Sequence, residues 1–201
     1  PDSAAGSQLD CDVRRCTTGS GPILLKSLEE VRLLDAGSWF APEFSGERIP
    51  TLKEATDVLQ ELGLGLNLEI KPTIGWQIPT AVQVVKELLD YWPEELPLLI
   101  SSFGVECLIE VRKTLPDVPL GYLTSAIPPD WEKRMKEYDC ASLHCERHYV
   151  TKDHIAAIRS AGYRVLVYTV NDPEEAKKLL DWGADAVITD FPDRMFALME
   201  K

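Results

Sequence analysis

The sequence predicts an α/β fold, specifically a TIM (β/α)8 barrel that is incomplete at its N-terminus. Three observations support this. Six short apolar runs are each followed, after a brief connection, by a stretch with helical spacing of apolar residues. That alternation is the pattern of a parallel sheet covered by helices. Each of the six runs ends in polar residues: Glu69 and Lys71, Ser102, Thr124, His144, Tyr168 to Asn171, and Thr189 with Asp190. Barrel enzymes carry their chemistry at the C-terminal strand ends. Finally, no Gly-rich phosphate loop follows any run, which weakens the alternative of an open dinucleotide-binding sheet.

Residues 1–22 are polar and rich in Gly, Ser and Thr, and read as loop. The segment SLEEVRLLDAG (27–37) predicts a helix, with Ser27 as cap, Glu30 three residues on and Gly37 as the stop. SWFAPEFSGERIP follows as an irregular stretch with three aromatics, including Trp39 and Phe40, which either cover the barrel mouth or anchor the loop. Thr51 caps a second helix with Glu54 at the capping-box position. The strand–helix rhythm then sets in, with strands expected at 66–70, 97–101, 119–123, 141–144, 164–170 and 186–189. Asn171-Asp172-Pro173 reads as a strand exit leading to a capped helix with Pro in its first turn. Asp190 reads as a cap for the last helix or as part of a phosphate or glycerol site. A barrel needs eight strands and typically about 250 residues, so two strands are expected to be missing or degenerate before residue 66. The chain is read as one domain over 1–201, with an insertion-like segment at about 20–50.

Charge and composition restrict the function classes. The 201 residues carry 33 acidic and 21 basic side chains, a formal net charge of -12. That argues against a nucleic acid or an anionic membrane as partner. An anionic small molecule remains open, because it sees only the local field and a bound divalent cation can reverse that field. No apolar run approaches the ~18 residues of a membrane span. The opening PDSAAGSQLDCD is not a signal peptide and lacks an initiator Met, so the chain reads as processed, trimmed or incomplete at its start. Five cysteines without a regular framework read as free thiols in a reducing cytoplasm. Open sheet edges would be paired by residues 5–14 or by a homodimer, or else would leave the chain unstable.

The segment LNLEIKP (66–72) raises the functional question. Alternation puts Asn67, Glu69 and Lys71 on one face and Leu66, Leu68 and Ile70 on the other. A buried carboxylate and ammonium are costly unless they pair or meet a ligand. One reading is a structural Glu–Lys pair. The other has Glu69 hold a divalent cation while Lys71 contacts an anionic oxygen, which points to phosphoryl chemistry. A Schiff-base role for Lys71 is disfavoured, because the adjacent carboxylate works against the depressed pKa such a lysine needs. CASLHCERH (140–148) superficially offers zinc ligands, but alternation splits Cys140 and His144 from Cys145. His144 points inward with Ser142, while His148 and His154 read as solvated surface residues.

Beyond these local readings, IPTLKEA, LNLEIKP, LLISSF, SLH, VLVYTVN and VITDFP, in that order, resemble the glycerophosphodiester phosphodiesterase family, most strongly its bacterial cytoplasmic members. GSGPILLKSLEEVRLLDAGSWFAPEFSGE resembles the insertion typical of that family. The resemblance implies a TIM barrel and metal-dependent hydrolysis of a small phosphodiester to glycerol 3-phosphate and an alcohol, with Mg²⁺ or Ca²⁺ as the cation. It implies catalytic and metal roles for Glu69, a catalytic and phosphate-binding role for Lys71, and pocket positions for Phe103 and Tyr168, to which His144 is added as a substrate contact. Family members open with H-R-G, then E-x-D and H-D; no H-R-G occurs in this sequence. QLDCDVRRCTTGSGP fits the pattern in two ways. Either Leu9-Asp10 stands where H-D should, or Asp10 and Asp12 are the acids of E-x-D and complete the metal set with Glu69. Under both, the two family histidines are absent, and a barrel that binds phosphate or metal without turnover is the alternative.

Overall fold

The computed structural model describes residues 12–199; Asp10 and Cys11 lie outside that range. The chain divides into two compact units. The first comprises residues 1–98 and 106–118, and the second residues 99–105 and 119–201.

The first unit begins with a loop in which Val13 N–H donates to Gly21 O at 3.2 Å. Helix α1 (Leu28–Arg32) starts with the expected capping box: Ser27 Oγ accepts from Glu30 N–H, and Glu30 accepts from Ser27 N–H at 2.7 Å. The helix is shorter than the sequence reading because Asp35 captures the backbone beyond it. The Asp35 carboxylate accepts from Gly37 N–H, Ser38 N–H and Gly46 N–H at 2.8–2.9 Å. A side chain that binds nearby N–H groups competes with helix continuation. These bonds hold the Asp35 carboxyl far below the usual carboxylate range, led by the bond from Ser38. Helix α2 (Leu52–Glu61) carries the second capping box, built by Thr51 and Glu54. Arg32 joins the end of α1 to the start of α2 by donating to both Glu54 oxygens at 2.6 and 2.7 Å and to Ile49 O at 2.8 Å. Strand β1 (Leu66–Glu69) follows, and then α3 (Gln77–Tyr91), which packs on α2. Strand β2 (Leu98–Ser102) leads into α4 (Val105–Thr114). Leu66 N–H donates to Pro97 O at 2.9 Å, so β1 is anchored to the residue preceding β2.

In the second unit, β2 to β6 form a parallel ladder in chain order: β3 (Leu120–Thr124), β4 (Ser142–Glu146), β5 (Arg164–Tyr168) and β6 (Ala186–Val187). Helices α5 (Trp131–Glu137), α6 (Lys152–Ser160), α7 (Pro173–Asp181) and α8 (Pro192–Met199) alternate with the strands. Parallel order with helical crossovers is the expected consequence of the strand–helix rhythm. The ladder continues past the short β6 through Ile188 N–H to Val167 O and Val170 N–H to Ile188 O, both at 2.8 Å.

The faces of the ladder can be read from α5. Tyr122 meets Tyr138 at 5.8 Å between ring centroids, and Arg134 donates to its hydroxyl at 3.2 Å. Leu143 lies opposite Tyr122 in register, so Leu143 and Cys145 share the helix-facing side. Leu120, Leu143, Cys145, Val165 and Val167 are fully buried there with Met135, Ile155 and Ile158 from the helices. Each large apolar side chain so enclosed contributes roughly 1.5–3 kcal/mol. The opposite side carries Ser101, Gly121, Ser142, His144 and Glu146. Cys16, Cys107, Cys140 and Cys145 are free thiols, and burial pushes the Cys145 thiol up to about 12.

Candidate functional site

In the first unit, Glu69 closes β1 and Lys71 follows it after the buried Ile70. Asn67 and Lys71 are exposed and Ile70 is enclosed, while Leu66, Leu68 and Glu69 are all half-buried, so at β1 only Ile70 is packed away as alternation expected. Burial pushes the Glu69 carboxyl up, and the nearby Lys71 ammonium opposes that shift only in part. A carboxylate in that state has a deficit that a cation can offset. Asp12 sits in an isolated antiparallel bridge with Pro22, and its carboxylate accepts from Arg14 N–H at 2.9 Å. Among the described residues no group of three His, Cys, Asp or Glu stands together as a metal cluster.

The second unit brings together Phe103 and Tyr168, at the ends of β2 and β5. Their rings meet edge to face at 6.0 Å and 84°. The Tyr168 hydroxyl donates to Thr124 O at 3.1 Å, fixing one ring, while Phe103 remains 45% exposed. His144 lies two residues below the end of β4 and is 0% exposed. Its Nε2 is 2.9 Å from Ser142 Oγ, and its buried Nδ1 has no hydrogen-bond partner among the described residues. Burial without a counter-charge pushes the imidazole down to about 4, so the ring is neutral near pH 7. Space for it comes from Gly121, where a Cβ would stand 2.6 Å from His144 Nε2.

Two arrangements at these strand ends were not read from the sequence. Asn171 spans the β5 and β6 exits: its Nδ2 donates to Asp190 Oδ2 at 2.9 Å, and its Oδ1 accepts from Asp190 N–H at 2.9 Å and Thr189 Oγ1 at 3.1 Å. Asp190 therefore serves as the partner of Asn171, while Asp172 caps α7 by accepting from Glu174 N–H as its position before Pro173 suggested. The second arrangement is Glu146 with His148, whose Nδ1 is 2.6 Å from Glu146 Oε1. The signal for it was a glutamate on the polar face of β4 and a histidine two residues on, either side of a turn. In the insertion, Trp39 and Phe40 are 54% and 60% exposed and touch edge to face, and Trp39 Nε1–H donates to Ala36 O.

The family model described as the glycerophosphoryl diester phosphodiesterase family matches residues 10–194. The chain belongs to that family. A glycerophosphodiester phosphodiesterase of Caldanaerobacter subterraneus is 32% identical over 196 residues, covering 96% of this chain and 79% of the relative. A phosphodiesterase of Oleispira antarctica, solved in complex with the product sn-glycerol-3-phosphate, superposes with a TM-score of 0.96 at 39% identity. That match covers all of this chain and 81% of the other. The glycerophosphodiester phosphodiesterase of Thermotoga maritima shares the fold at 23% identity, with a TM-score of 0.72 and 98% and 80% coverage. Among these phosphodiesterase relatives the fold class is the TIM barrel, and the six strand–helix units described here are its parallel repeats. Among the described residues, no helix is long and apolar enough to cross a membrane.

Proposed function

We propose that this chain hydrolyses glycerophosphodiesters to glycerol 3-phosphate and an alcohol. The observation that carries this reading is the half-buried Glu69 carboxylate at the end of β1, pushed up by burial beside Lys71, in a sequence that superposes throughout on 81% of a phosphodiesterase solved with sn-glycerol-3-phosphate. Glu69 fits a hard divalent cation, Mg²⁺ or Ca²⁺, because it offers an oxygen donor whose ionisation the surroundings oppose. Such a cation, when bound, supplies charge stabilisation at a phosphoryl oxygen. Lys71 contacts a non-bridging phosphate oxygen as a point charge. In the second unit, Phe103 and Tyr168, the latter held by its bond to Thr124, form an apolar edge at the ends of β2 and β5.

The test is release of glycerol 3-phosphate from glycerophosphocholine, with Mg²⁺ or Ca²⁺, with chelator, and with Glu69→Gln. Cation-dependent turnover that Glu69→Gln abolishes is the expected result. A folded chain that binds the diester without turning it over would overturn hydrolysis and leave a binding protein.

A further inference from the structure

We propose that the exposed aromatic cluster of the insertion, Trp39, Phe40 and Phe44, binds a quaternary ammonium group and makes choline the preferred alcohol of the diester. The inference rests on the hydrolase reading above and names the substrate of that same site.

Within the first unit, the insertion is attached at the level of the β1 end. Gln60, near the end of α2, donates to Tyr91 O, at the end of α3, at 2.7 Å. A turn closed by Trp92 Nε1–H to Leu96 O leads from there to Pro97, whose carbonyl accepts from Leu66 N–H at the start of β1 at 2.9 Å. The ends of α2 and α3 and the start of β1 therefore share one level. From it, the ten residues of α2 span ~15 Å and the stretch from Leu66 to Lys71 spans ~20 Å. The start of α2 thus stands near the height of Glu69 and Lys71. Arg32 ties the insertion to that start through Glu54 and Ile49 O, and Asp35 bridges to Arg48. All of these residues belong to the first compact unit.

The loop that carries the rings is built to hold them. The Asp35 carboxylate accepts from the N–H groups of Gly37, Ser38 and Gly46 and from the Ser45 hydroxyl. Ala36 N–H donates to Glu47 O at 2.7 Å and closes the loop at its base. Gly37 lies so close to Phe44 O that a Cβ there would collide with it. Trp39 Nε1–H donates to Ala36 O at 2.9 Å, which fixes the indole plane. Phe40 stands between the other two rings, 5.8 Å and 73° from Trp39 and 5.5 Å and 59° from Phe44. The rings are inclined rather than stacked, and all three are exposed. Backbone bonds already hold this loop, so its closure does not require three aromatic side chains turned to solvent. Aromatic faces attract cations, quaternary ammonium above all. Charge agrees: residues 36–47 contain Glu43 and Glu47 and no basic side chain. Both carboxylates are exposed, and Glu47 N–H donates to Phe44 O at 3.2 Å. A neutral apolar alcohol would gain nothing from those carboxylates, whereas a trimethylammonium group gains from carboxylates and rings together.

The experiment compares glycerophosphocholine with its carbon isostere, in which a 3,3-dimethylbutyl group replaces choline and the positive charge is absent. Wild type is expected to favour choline by about 10-fold in kcat/KM, the scale of a partly desolvated cation–π contact. Trp39→Leu keeps an apolar side chain and removes the indole face. It is expected to lower kcat/KM on glycerophosphocholine by about 10-fold, with a loss on the isostere at least ~3-fold smaller. Phe40→Leu provides the same reading should Trp39→Leu fail to fold, and Glu43→Gln is expected to move the ratio the same way by less. Equal kcat/KM on the two diesters in wild type, or a choline preference that survives both ring variants, would overturn the assignment and leave the hydrolase reading intact. A wild-type chain inactive on both would overturn the hydrolase reading instead. Titration of the Trp39 indole N–H resonance with tetramethylammonium chloride, against sodium chloride at equal ionic strength, needs no turnover. A shift with tetramethylammonium alone supports the cation site, and an unmoved resonance overturns it.

Discussion

The middle of β4 and the turn that follows it each carry a histidine, and the two are held in opposite ways. His144 is fully enclosed, neutral, and set against a serine hydroxyl over a glycine that makes room for it. His148 is on the surface, bonded to a carboxylate at 2.6 Å, with its other ring nitrogen open. Four residues along one strand exit therefore separate a packed group from a presented one. In a barrel the strand middles form a filled core and the strand ends form the working face. Substitutions at the ends should cost turnover and spare stability, and substitutions in the middles should do the reverse.

Lys71→Ala provides the largest expected break in that comparison. Lys71 is exposed at a strand end, so its loss should leave the melting midpoint near wild type. If it meets the phosphate, kcat/KM on glycerophosphocholine should fall by about 10²–10³-fold, the scale for deleting one group that stabilises transition-state charge. A drop in the midpoint with little change in kcat/KM would assign Lys71 to structure and remove the distinction at β1.

The next effect comes from His144, through acid. Its folded pKa, about 4, lies below its ordinary 6.5 because burial penalises the imidazolium. Above pH 6.5 the ring is neutral in both states and its contribution is complete. Between 6.5 and about 4 the unfolded chain takes up a proton that the folded chain refuses, so stability falls as pH falls. The full loss is roughly 3 kcal/mol, at about 1.4 kcal/mol per pKa unit. Asp35 and Asp185, whose pKa values are lowered by hydrogen bonds, lose their contributions below their ordinary carboxylate range, at lower pH. Glu69, whose pKa is raised, acts with the opposite sign. Denaturant titrations from pH 7.5 to 4.0 of wild type and His144→Gln cancel these other groups in the difference. A constant difference across that range would refute the buried, neutral assignment.

The sequence made some of this arrangement legible and hid the rest for identifiable reasons. Ser27 with Glu30 and Thr51 with Glu54 are local signals, and both capping boxes form as read. Alternation through Ser142 to His144 is also local, and the structure keeps that face, whereas along Leu66 to Lys71 only Ile70 is enclosed and Leu66 and Leu68 are half-buried together with Glu69. Asp35 was missed because its partners at 37, 38, 45 and 46 are brought to it by a loop with no periodicity, and the helix read over 27–37 stops at Arg32 as a result. Glu146 and His148 were missed because β4 runs two residues beyond the expected strand, which places the glutamate on the polar face rather than in a loop. Asn171 and Asp190 are 19 residues apart, and only the parallel pairing of β5 with β6 brings them together.

Gly121→Ala sharpens the comparison from the core side. The added Cβ would stand 2.6 Å from His144 Nε2 and 3.1 Å from Ser101 Cβ. The ring must therefore leave Ser142 or the strand must shift, at a cost of about 1–3 kcal/mol for overpacking. The melting midpoint should drop, while kcat on the remaining folded protein should stay within about threefold of wild type, because no strand end has been altered. A selective loss of kcat at an unchanged midpoint would mean that the strand middle and the strand end are coupled through His144.

The smallest effect is expected at a position that belongs to neither class, and it calibrates the others. Thr51 accepts from Glu54 N–H at 3.2 Å, and Glu54 accepts from Thr51 N–H at 2.8 Å while also receiving Arg32. Thr51→Ala removes one acceptor at the start of α2 but leaves the Glu54 bonds in place, so the loss should be about 1 kcal/mol. Thr51 lies outside both the strand middles and the strand ends, so turnover should not change. If Thr51→Ala lowered kcat as strongly as Lys71→Ala, turnover would be reporting the folded fraction alone. Losses at strand ends could then be read as chemistry only after correction for that fraction, which the melting midpoint of each variant supplies.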